Sequence, residues 1–195
     1  MTWLLAAATG VLIGSVPTAD WIARLRGIDL RREGSGNPGA NNAFRSGGAL
    51  LGAAVLVVEM SKGAAAVALG ASLGGPEAAL AGIGATLGNV YNPWYRFRGG
   101  KGLGITAGSV LAASPLLAGV LVLVIAVSVA VWRRSGPASL LTLAVYVAMA
   151  AVGAIIERSM RTGLIGDPAS LLAMAAGQTL VMTPKHLADT RRRPS

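Results

Sequence analysis

The sequence predicts an all-α integral membrane protein with about seven transmembrane helices, one of them short, joined by glycine-rich cytoplasmic loops. Of its 195 residues 53% are hydrophobic and only 13% are charged, whereas a soluble domain carries about 25% charged residues. The mean hydropathy is +0.61. A chain of this length has no core large enough to cover so much apolar surface, so the helices must face lipid. We expect residues 1–195 to form a single membrane domain, with a basic cytoplasmic tail over about 185–195.

Six apolar segments approach the length of about 20 residues that a helix needs to cross a bilayer. The first lacks a basic start and a clear cleavage site, so it is predicted to be a helix rather than a signal peptide. A seventh segment, 103–114, is too short to span at about 1.5 Å per residue unless its helix starts within the preceding glycines. The six predicted spans are 2–23, 48–70, 76–95, 115–132, 138–157 and 167–184.

The charge distribution predicts the orientation. The net charge is +9, from 17 Lys and Arg against 8 Asp and Glu. With the N-terminus outside, 14 of these basic residues fall in cytoplasmic loops or the tail, Arg158 and Arg161 fall in the outside loop 158–166, and Lys62 lies within a span. This bias satisfies the positive-inside rule. Because the basic residues are in short loops with few aromatic residues between them, a nucleic-acid partner is not expected.

The composition also bounds the chemistry. The absence of cysteine excludes disulfides, thiolate catalysis and cysteine-ligated metals. The single histidine, His186, argues against a histidine-based zinc site. We therefore expect no metal and no other cofactor. In the basic tail, His186 is expected to be a surface residue.

The first glycine-rich segment, "GSGNPGANNAFR" at 34–45, has the composition of an anion site. Its glycines permit backbone conformations that are closed to other residues, and successive backbone N–H groups in such a loop bind anions. Arg45 supplies a bidentate fork for phosphate or carboxylate. A flexible polar turn is the alternative. The glycines and the neutral hydrogen-bonding residues are Gly34, Gly36, Gly39, Ser35, Asn37, Asn41 and Asn42.

The second segment, "RFRGGKG" at 96–102, joins a predicted span to the short helix. If that helix starts near Gly100, its first N–H groups and Lys101 form an anion site. The segment is not a Walker A loop, because Tyr95 stands where that motif has glycine and no Ser or Thr follows Lys101. The alternative is simple anchoring at the membrane surface by Arg96, Arg98 and Lys101.

Two charged residues lie near the middle of a predicted span, whereas Asp20, near the end of the first span, is expected to reach the membrane surface. Glu59 and Lys62 are three residues apart, hence neighbours on one helix face. Burying either alone in lipid costs several kcal/mol, so they form an internal ion pair or Lys62 faces the anion site. Two glycine-rich loops and a membrane lysine suggest chemistry on a phosphorylated, lipid-linked substrate. An anion or lipid transporter has the same requirements.

Three segments resemble a known family. "GSGNPGANNAFR", "EMSKG" and "GNVYNPWYRFRGGKG" are similar, in order and spacing, to the signature segments of the bacterial acyl-phosphate:glycerol-3-phosphate acyltransferases, the PlsY family. The resemblance covers essentially the whole chain, including "GSVP" at 14–17 and the tail from His186. It implies a seven-helix enzyme of the bacterial cytoplasmic membrane with its N-terminus outside and its active site inside. Such enzymes transfer a fatty acyl group from acyl phosphate to glycerol 3-phosphate, giving lysophosphatidate and phosphate for phospholipid synthesis, without a metal, acyl-CoA or acyl carrier protein.

The resemblance also assigns roles by position. It implies that catalysis involves Ser35, Arg45, Lys101 and Asn89. The residues that it implies for substrate binding, either by contact or by shaping the loops, are Gly34, Gly36, Asn37, Gly39, Asn42, Lys62, Gly99, Gly100, Gly102, Ser139, His186 and Asp189.

Two of these positions depart from the family pattern. Asn89 stands where the pattern has histidine, and asparagine cannot take a proton. Asp189 replaces an asparagine and brings a negative charge, which Arg191 and Arg192 would offset. These departures leave open a divergent paralogue that uses another acceptor or donor, or that binds a phosphorylated lipid without catalysis. A transporter ranks third, because the spans show no pair of broken helices in matching halves.

Overall fold

The computed structural model describes residues 1–132, 135–156 and 167–190, and these ranges are almost entirely helical. The described ranges hold eight α-helices and no strand. This confirms the predicted all-α fold. The helices are α1 (Thr2–Ser15), α2 (Thr18–Arg24), α3 (Ala40–Ala71), α4 (Gly75–Val90), α5 (Leu103–Ala113), α6 (Pro115–Trp132), α7 (Ser135–Ile156) and α8 (Pro168–Thr190), with one 3₁₀ turn at Pro93–Tyr95.

The number of described helices that are long and apolar enough to cross a membrane is smaller than the six spans predicted. Four segments of the described chain qualify: Thr2–Arg24, Ala40–Ala71, Pro115–Trp132 and Ser135–Ile155. Helix α4 has only 16 residues and α5 only 11. Helix α8 has 23 residues but is too polar to be counted with the four. The predicted spans 76–95 and 167–184 are therefore not among them.

Two helix boundaries near the predicted site also differ from the sequence expectation. Helix α4 ends at Val90 rather than at 95, because Pro93 has no N–H to continue the helix and the Asn92 side chain instead accepts a hydrogen bond from Trp94 N at 3.0 Å. Helix α3 begins at Ala40, eight residues before the predicted start, and is kinked at Gly48, where φ is 79°. Only the first half of the segment 34–45 is therefore a loop.

The C-terminal helix continues past its predicted end. Helix α8 runs through Pro184 to Thr190, so the predicted tail begins inside a helix. Residues 191–195 and the predicted outside loop 158–166 lie outside the described residues, as do Arg191 and Arg192. Because it is longer than predicted, α8 brings His186 and Asp189 against the loop that precedes α5.

Glycines allow the helices around the site to pack backbone against backbone. A Cβ at Gly10 or Gly14 of α1 would overlap a carbonyl oxygen of α4, and glycines at 84 and 88 of α4 meet α1 in the same way. Helices α3 and α5 repeat this contact through Gly63 and Gly108. Small residues spaced by four are typical of close helix pairs in membranes.

A buried polar chain holds α8 to its neighbours. The Tyr146 hydroxyl of α7 donates to Gln178 Oε1 at 3.1 Å, and Gln178 Nε2 donates to Thr86 Oγ1 of α4 at 3.1 Å. Thr86 Oγ1 lies 3.1 Å from Thr106 Oγ1 of α5. Buried polar groups need such partners, and these bonds fix α8 relative to α4, α5 and α7.

Candidate active site

Two cavities open at the end of the helix bundle where the loop before α3, the loop before α5 and the end of α8 meet. The wide cavity has a volume of about 690 Å³ and is lined mainly by the loops, from Arg31 to Pro38 and from Trp94 to Lys101. The narrow cavity, of about 290 Å³, reaches inward between the helices. The residues that line both are Ser35, Asn37, Pro38 and Lys101.

Three helix N-termini line the narrow cavity. The first residue of each of these helices lines the cavity: Ala40 of α3, Leu103 of α5 and Ser135 of α7. Neither α3 nor α5 has a side-chain cap, so their first N–H groups are available to a ligand. Each N-terminus carries partial positive charge, and their convergence favours an anion.

The narrow cavity also has an apolar part. Its lining includes Leu56 of α3 and Ile125 and Val129 of α6. Helix α6 is among the four helices apolar enough to cross a membrane. One cavity therefore offers an anion site and a surface suited to an alkyl chain.

The loop that carries Ser35 is held by Asn42. Gly34 and Gly36, on either side of Ser35, have φ of 55° and 69°, a backbone region that favours glycine. The Asn42 side chain accepts a hydrogen bond from Ser35 N at 2.8 Å and donates to the carbonyls of Leu30 and Glu33 at 2.9 and 3.0 Å. These bonds give Asn42 a role in positioning the loop, and Asn42 also lines the narrow cavity.

The Gly99–Gly100 segment lies directly against the end of α4. Gly99 N donates to Val90 O at 3.1 Å, and Gly100 N donates to Asn89 O at 3.0 Å. A Cβ at Gly99 would overlap Asn89 O, so only glycine fits there. Helix α5 starts at Leu103 rather than near Gly100. The uncapped N–H groups at the start of α5 therefore belong to the residues after Gly102, whose own φ is 86°.

Lys185 forms hydrogen bonds to the Gly99–Gly100 segment and to the end of α4. Its ammonium donates to the carbonyl oxygens of Val90, Gly99 and Gly100 at 2.7, 2.6 and 3.0 Å. Burial, and then the neighbouring Arg31 charge, lower the pKa of Lys185 to about 8. Although Lys185 lines the wide cavity, its donors are committed to the loop.

Lys101 is the cation placed at the junction of the two cavities. Its ammonium forms an ion pair with Asp189 Oδ2 at 2.6 Å, and both side chains are about one-fifth exposed (22% and 21%). Its carbonyl oxygen lies 3.3 Å from His186 Nε2. Because a carbonyl only accepts, Nε2 carries the hydrogen and Nδ1 has the lone pair.

His186 is buried rather than on the surface of a tail. It is 1% exposed, lines the narrow cavity, and its Nδ1 is buried without a hydrogen-bond partner in the described structure. Burial, and then the Lys101 charge, lower the pKa of His186 to about 4. The imidazole is therefore neutral at the pH of a cell.

Glu59 and Lys62 form the internal ion pair that the sequence allowed. Glu59 Oε1 lies 3.1 Å from Lys62 Nζ and accepts from Thr18 Oγ1 at 2.7 Å, while Oε2 accepts from Asn89 Nδ2 at 2.5 Å. Lys62 Nζ also donates to Val16 O at 2.7 Å. Glu59 and Asn89 line the narrow cavity, whereas Lys62 lines neither cavity.

The remaining predicted residues lie at different distances from the cavities. Ser139 of α7 lines the narrow cavity and donates to Ser135 O at 2.6 Å. Arg45 is exposed on α3 and lines neither cavity, so a contact with substrate requires its side chain to move. Of the predicted glycines, Gly36 and Gly99 line the wide cavity, Gly39, Gly100 and Gly102 line the narrow one, and Gly34 lines neither.

Arg31 is a site residue that the sequence did not single out. Its Nε and Nη2 donate to Asp20 Oδ2 at 3.1 and 2.8 Å, its Nη1 donates to Arg98 O at 2.7 Å, and it stacks 3.5 Å from the centre of the Tyr95 ring. Asp20 was expected to reach the membrane surface, but it is 3% exposed. A buried acid needs a partner. The position of Asp20 in a predicted span was therefore the sequence feature that pointed to a nearby cation such as Arg31.

Within the described ranges, no group of three His, Asp or Glu side chains is placed to hold a metal ion. The polar groups of the site are mainly amides, hydroxyls, backbone N–H groups and cations, with Glu59 and Asp189 as the acids of the two linings. These groups suit anionic oxygen ligands.

The sequence model of the glycerol-3-phosphate acyltransferase family matches residues 4–193, nearly the whole chain. The chain belongs to this family. The glycerol-3-phosphate acyltransferase of Sinorhizobium fredii is 35% identical over 97% of this chain and 87% of its own. Glycerol-3-phosphate acyltransferase 2 of Moorella thermoacetica is 47% identical over 116 residues, which is 58% of this chain. That match spans only 60% of the Moorella protein's length.

Two solved structures support the assignment. Both are of PlsY, described as an integral membrane glycerol 3-phosphate acyltransferase, in a glycerol 3-phosphate form and a lysophosphatidic acid form. Both match this chain with a TM-score of 0.84 over 98% of its length. The glycerol 3-phosphate form has 28% sequence identity and is matched over 92% of its own chain, and the lysophosphatidic acid form has 27% identity and is matched over 91%. As a member of this family, the protein is a multi-pass membrane protein.

Proposed function

We propose that the protein is a membrane acyltransferase that moves a fatty acyl group from acyl phosphate to glycerol 3-phosphate, giving lysophosphatidate and phosphate. The narrow cavity carries this proposal, because it joins three helix N-termini to an apolar wall in one space. An acyl phosphate has the same two parts, a phosphate and an alkyl chain. The glycerol 3-phosphate and lysophosphatidic acid forms of PlsY support the acceptor and the product.

The second substrate fits the wide cavity. This cavity is open and is lined by cations from three parts of the chain, so glycerol 3-phosphate can enter from water. Ser35 and Lys101 line both cavities and lie between the two phosphates in this arrangement. The cations of the wide cavity are Arg31, Arg96, Arg98, Lys101 and Lys185.

The chemistry follows from this placement. The acceptor hydroxyl oxygen attacks the acyl carbonyl carbon, a new C–O ester bond forms, and the bond between the carbonyl carbon and the phosphate oxygen breaks. The departing phosphate takes the hydroxyl proton, so the step balances without a cofactor. The protein holds the two substrates in line and stabilises the developing negative charge.

Two nearby side chains are not the base. The Asn89 amide has no proton-accepting group of useful basicity and is bonded to Glu59. His186 is a weak base, because burial and the Lys101 charge lower its pKa to about 4. We assign catalysis to Ser35 and Lys101, with Asn89 as a positioning group and Arg45 as a cation that joins the phosphate when its side chain moves.

The location follows from the charge distribution of the sequence. With the N-terminus outside, the basic loops that line the wide cavity lie on the cytoplasmic side of the bacterial plasma membrane. Water-soluble glycerol 3-phosphate then enters from the cytoplasm, and the alkyl chain of the donor stays at the level of the bilayer.

The test measures lysophosphatidate by mass spectrometry after the detergent-purified protein is mixed with palmitoyl phosphate and glycerol 3-phosphate. Lys101→Ala and Ser35→Ala should each reduce product formation by about 100-fold or more, since each removes a group that contacts developing charge. Arg26→Ala, an exposed arginine that lines neither cavity, is the matched control and should retain wild-type rates. Wild-type activity in both site variants would reject the site.

A second candidate is a protein that binds the same ligands without turnover. The observation that favours it is the Lys101–Asp189 ion pair, which neutralises the junction cation in the structure. Binding of both substrates without lysophosphatidate formation would establish this alternative.

A further inference from the structure

The wide cavity contains an acidic side chain where its other charges are positive. Of the described residues that line it, Asp189 is the one acid among five cations. Asp189 lies in the last turn of α8, and its carboxylate is 2.6 Å from Lys101 Nζ. Both groups are partly exposed, so a soluble anion can reach them.

The other cations of the cavity with described partners do not compete for Asp189. Arg31 is held by Asp20 and the Arg98 carbonyl, and Lys185 by three backbone carbonyls. Lys101 is the cation whose described ionic partner is Asp189. A carboxylate oxygen and a phosphate oxygen make the same kind of charge-assisted hydrogen bond to an ammonium. The carboxylate therefore occupies the position that a ligand oxygen needs.

We infer that Asp189 is a built-in competitor for Lys101, which a substrate phosphate must displace, and that it thereby sets the affinity of the site for glycerol 3-phosphate. The inference rests on the proposed function, because it takes the phosphate of that substrate as the incoming anion. Displacement exchanges one partly exposed ion pair for another. Because the two pairs are alike in charge and exposure, the effect on affinity is modest.

The test compares Asp189→Asn with wild type, because asparagine keeps the shape and removes the charge. The variant should bind glycerol 3-phosphate and inorganic phosphate up to about fivefold more tightly in calorimetry. In the acyl-transfer assay its KM for glycerol 3-phosphate should fall by the same factor, while kcat stays within twofold. A merely structural role for Asp189 would not separate KM from kcat in this direction.

Three further variants sharpen the test. In the Lys101→Met background, Asp189→Asn should have no effect on phosphate affinity, because the cation for which it competes is gone. Asp189→Glu keeps the charge and should bind like wild type. Asp167→Asn makes the same charge change before the first turn of α8, about 33 Å away along the helix, and should leave affinity unchanged.

The outcomes are distinct. Tighter anion binding in Asp189→Asn that disappears in the double variant supports the inference. Unchanged or weaker binding in Asp189→Asn overturns it and makes the ion pair a positioning device for Lys101. If no variant forms lysophosphatidate, the proposed function fails, but calorimetry with inorganic phosphate still decides the role of Asp189.

Discussion

At the scale of single residues, the charged side chains near the cavities differ in how fully the protein itself engages them. Arg31, Lys62 and Lys185 each make hydrogen bonds to acids or to backbone carbonyls. Within the described residues, Lys101 instead has one partly exposed acid as its ionic partner. The number of basic residues in the motifs therefore overstates the number of ligand contacts. The hydrogen-bond and ionic partners of each cation distinguish those that stabilise the structure from those that are available to a ligand.

His186 gives a pH prediction at this scale. Its pKa in the folded protein is about 4, below the ordinary value of 6.5. Between these values the unfolded chain takes up a proton that the folded protein does not, so stability falls as the pH falls through this window. Above pH 6.5 this group contributes no pH dependence.

The measurement is the midpoint of thermal unfolding in detergent at several pH values from 7.5 to 4. We expect the wild-type midpoint to fall below about pH 6.5, and the slope to be smaller in His186→Gln, which has no titrating ring. Identical slopes in the two proteins would contradict the buried neutral histidine.

At the scale of helices, the site depends on how closely α1, α3, α4 and α5 approach one another. Glycines at the α1–α4 and α3–α5 contacts meet backbone atoms of the partner helix. Helix α4 in turn supplies the Val90 carbonyl to which Gly99 is bonded. A change in the α1–α4 distance is therefore transmitted to the glycine-rich loop.

Gly14→Ala tests this contact, because the added methyl group would overlap the carbonyl oxygen of Ala85. The expected loss of stability is about 1–3 kcal/mol. Gly119→Ala is the matched control: it lies within α6, and a Cβ there meets nothing within 4 Å. That substitution should be neutral or stabilising by up to about 1 kcal/mol. Thermal unfolding in detergent measures both, and equal stability of the two variants would contradict the packing.

At the scale of the whole molecule, the all-helical membrane fold and the two loops of the site could be predicted from composition and from the positions of glycine, asparagine and arginine. The assignment of segment 34–45 as a loop was only half correct, because Ala40 begins a helix whose uncapped N-terminus becomes part of the site. Glycine-rich composition does not distinguish a loop from a helix start that is packed tightly against a loop.

Other features depend on distant packing and could not be read from the sequence. The burial of His186 requires α8 to continue through Pro184, and a proline is usually a signal to end a helix. The convergence of the N-termini of α3, α5 and α7 on one cavity depends on contacts between helices far apart in the chain. The position of Asp20 in a predicted span signals that it needs a partner, but the identity of that partner, Arg31, depends on the same distant packing.

The central claim is that one site brings an acyl phosphate and glycerol 3-phosphate together. Its most direct test is phosphate release from palmitoyl phosphate by the purified protein, measured with and without glycerol 3-phosphate. We predict release that depends on the acceptor and is lost in Lys101→Ala. Phosphate release at the same rate with and without glycerol 3-phosphate would contradict the claim, as would no release by protein that binds both substrates.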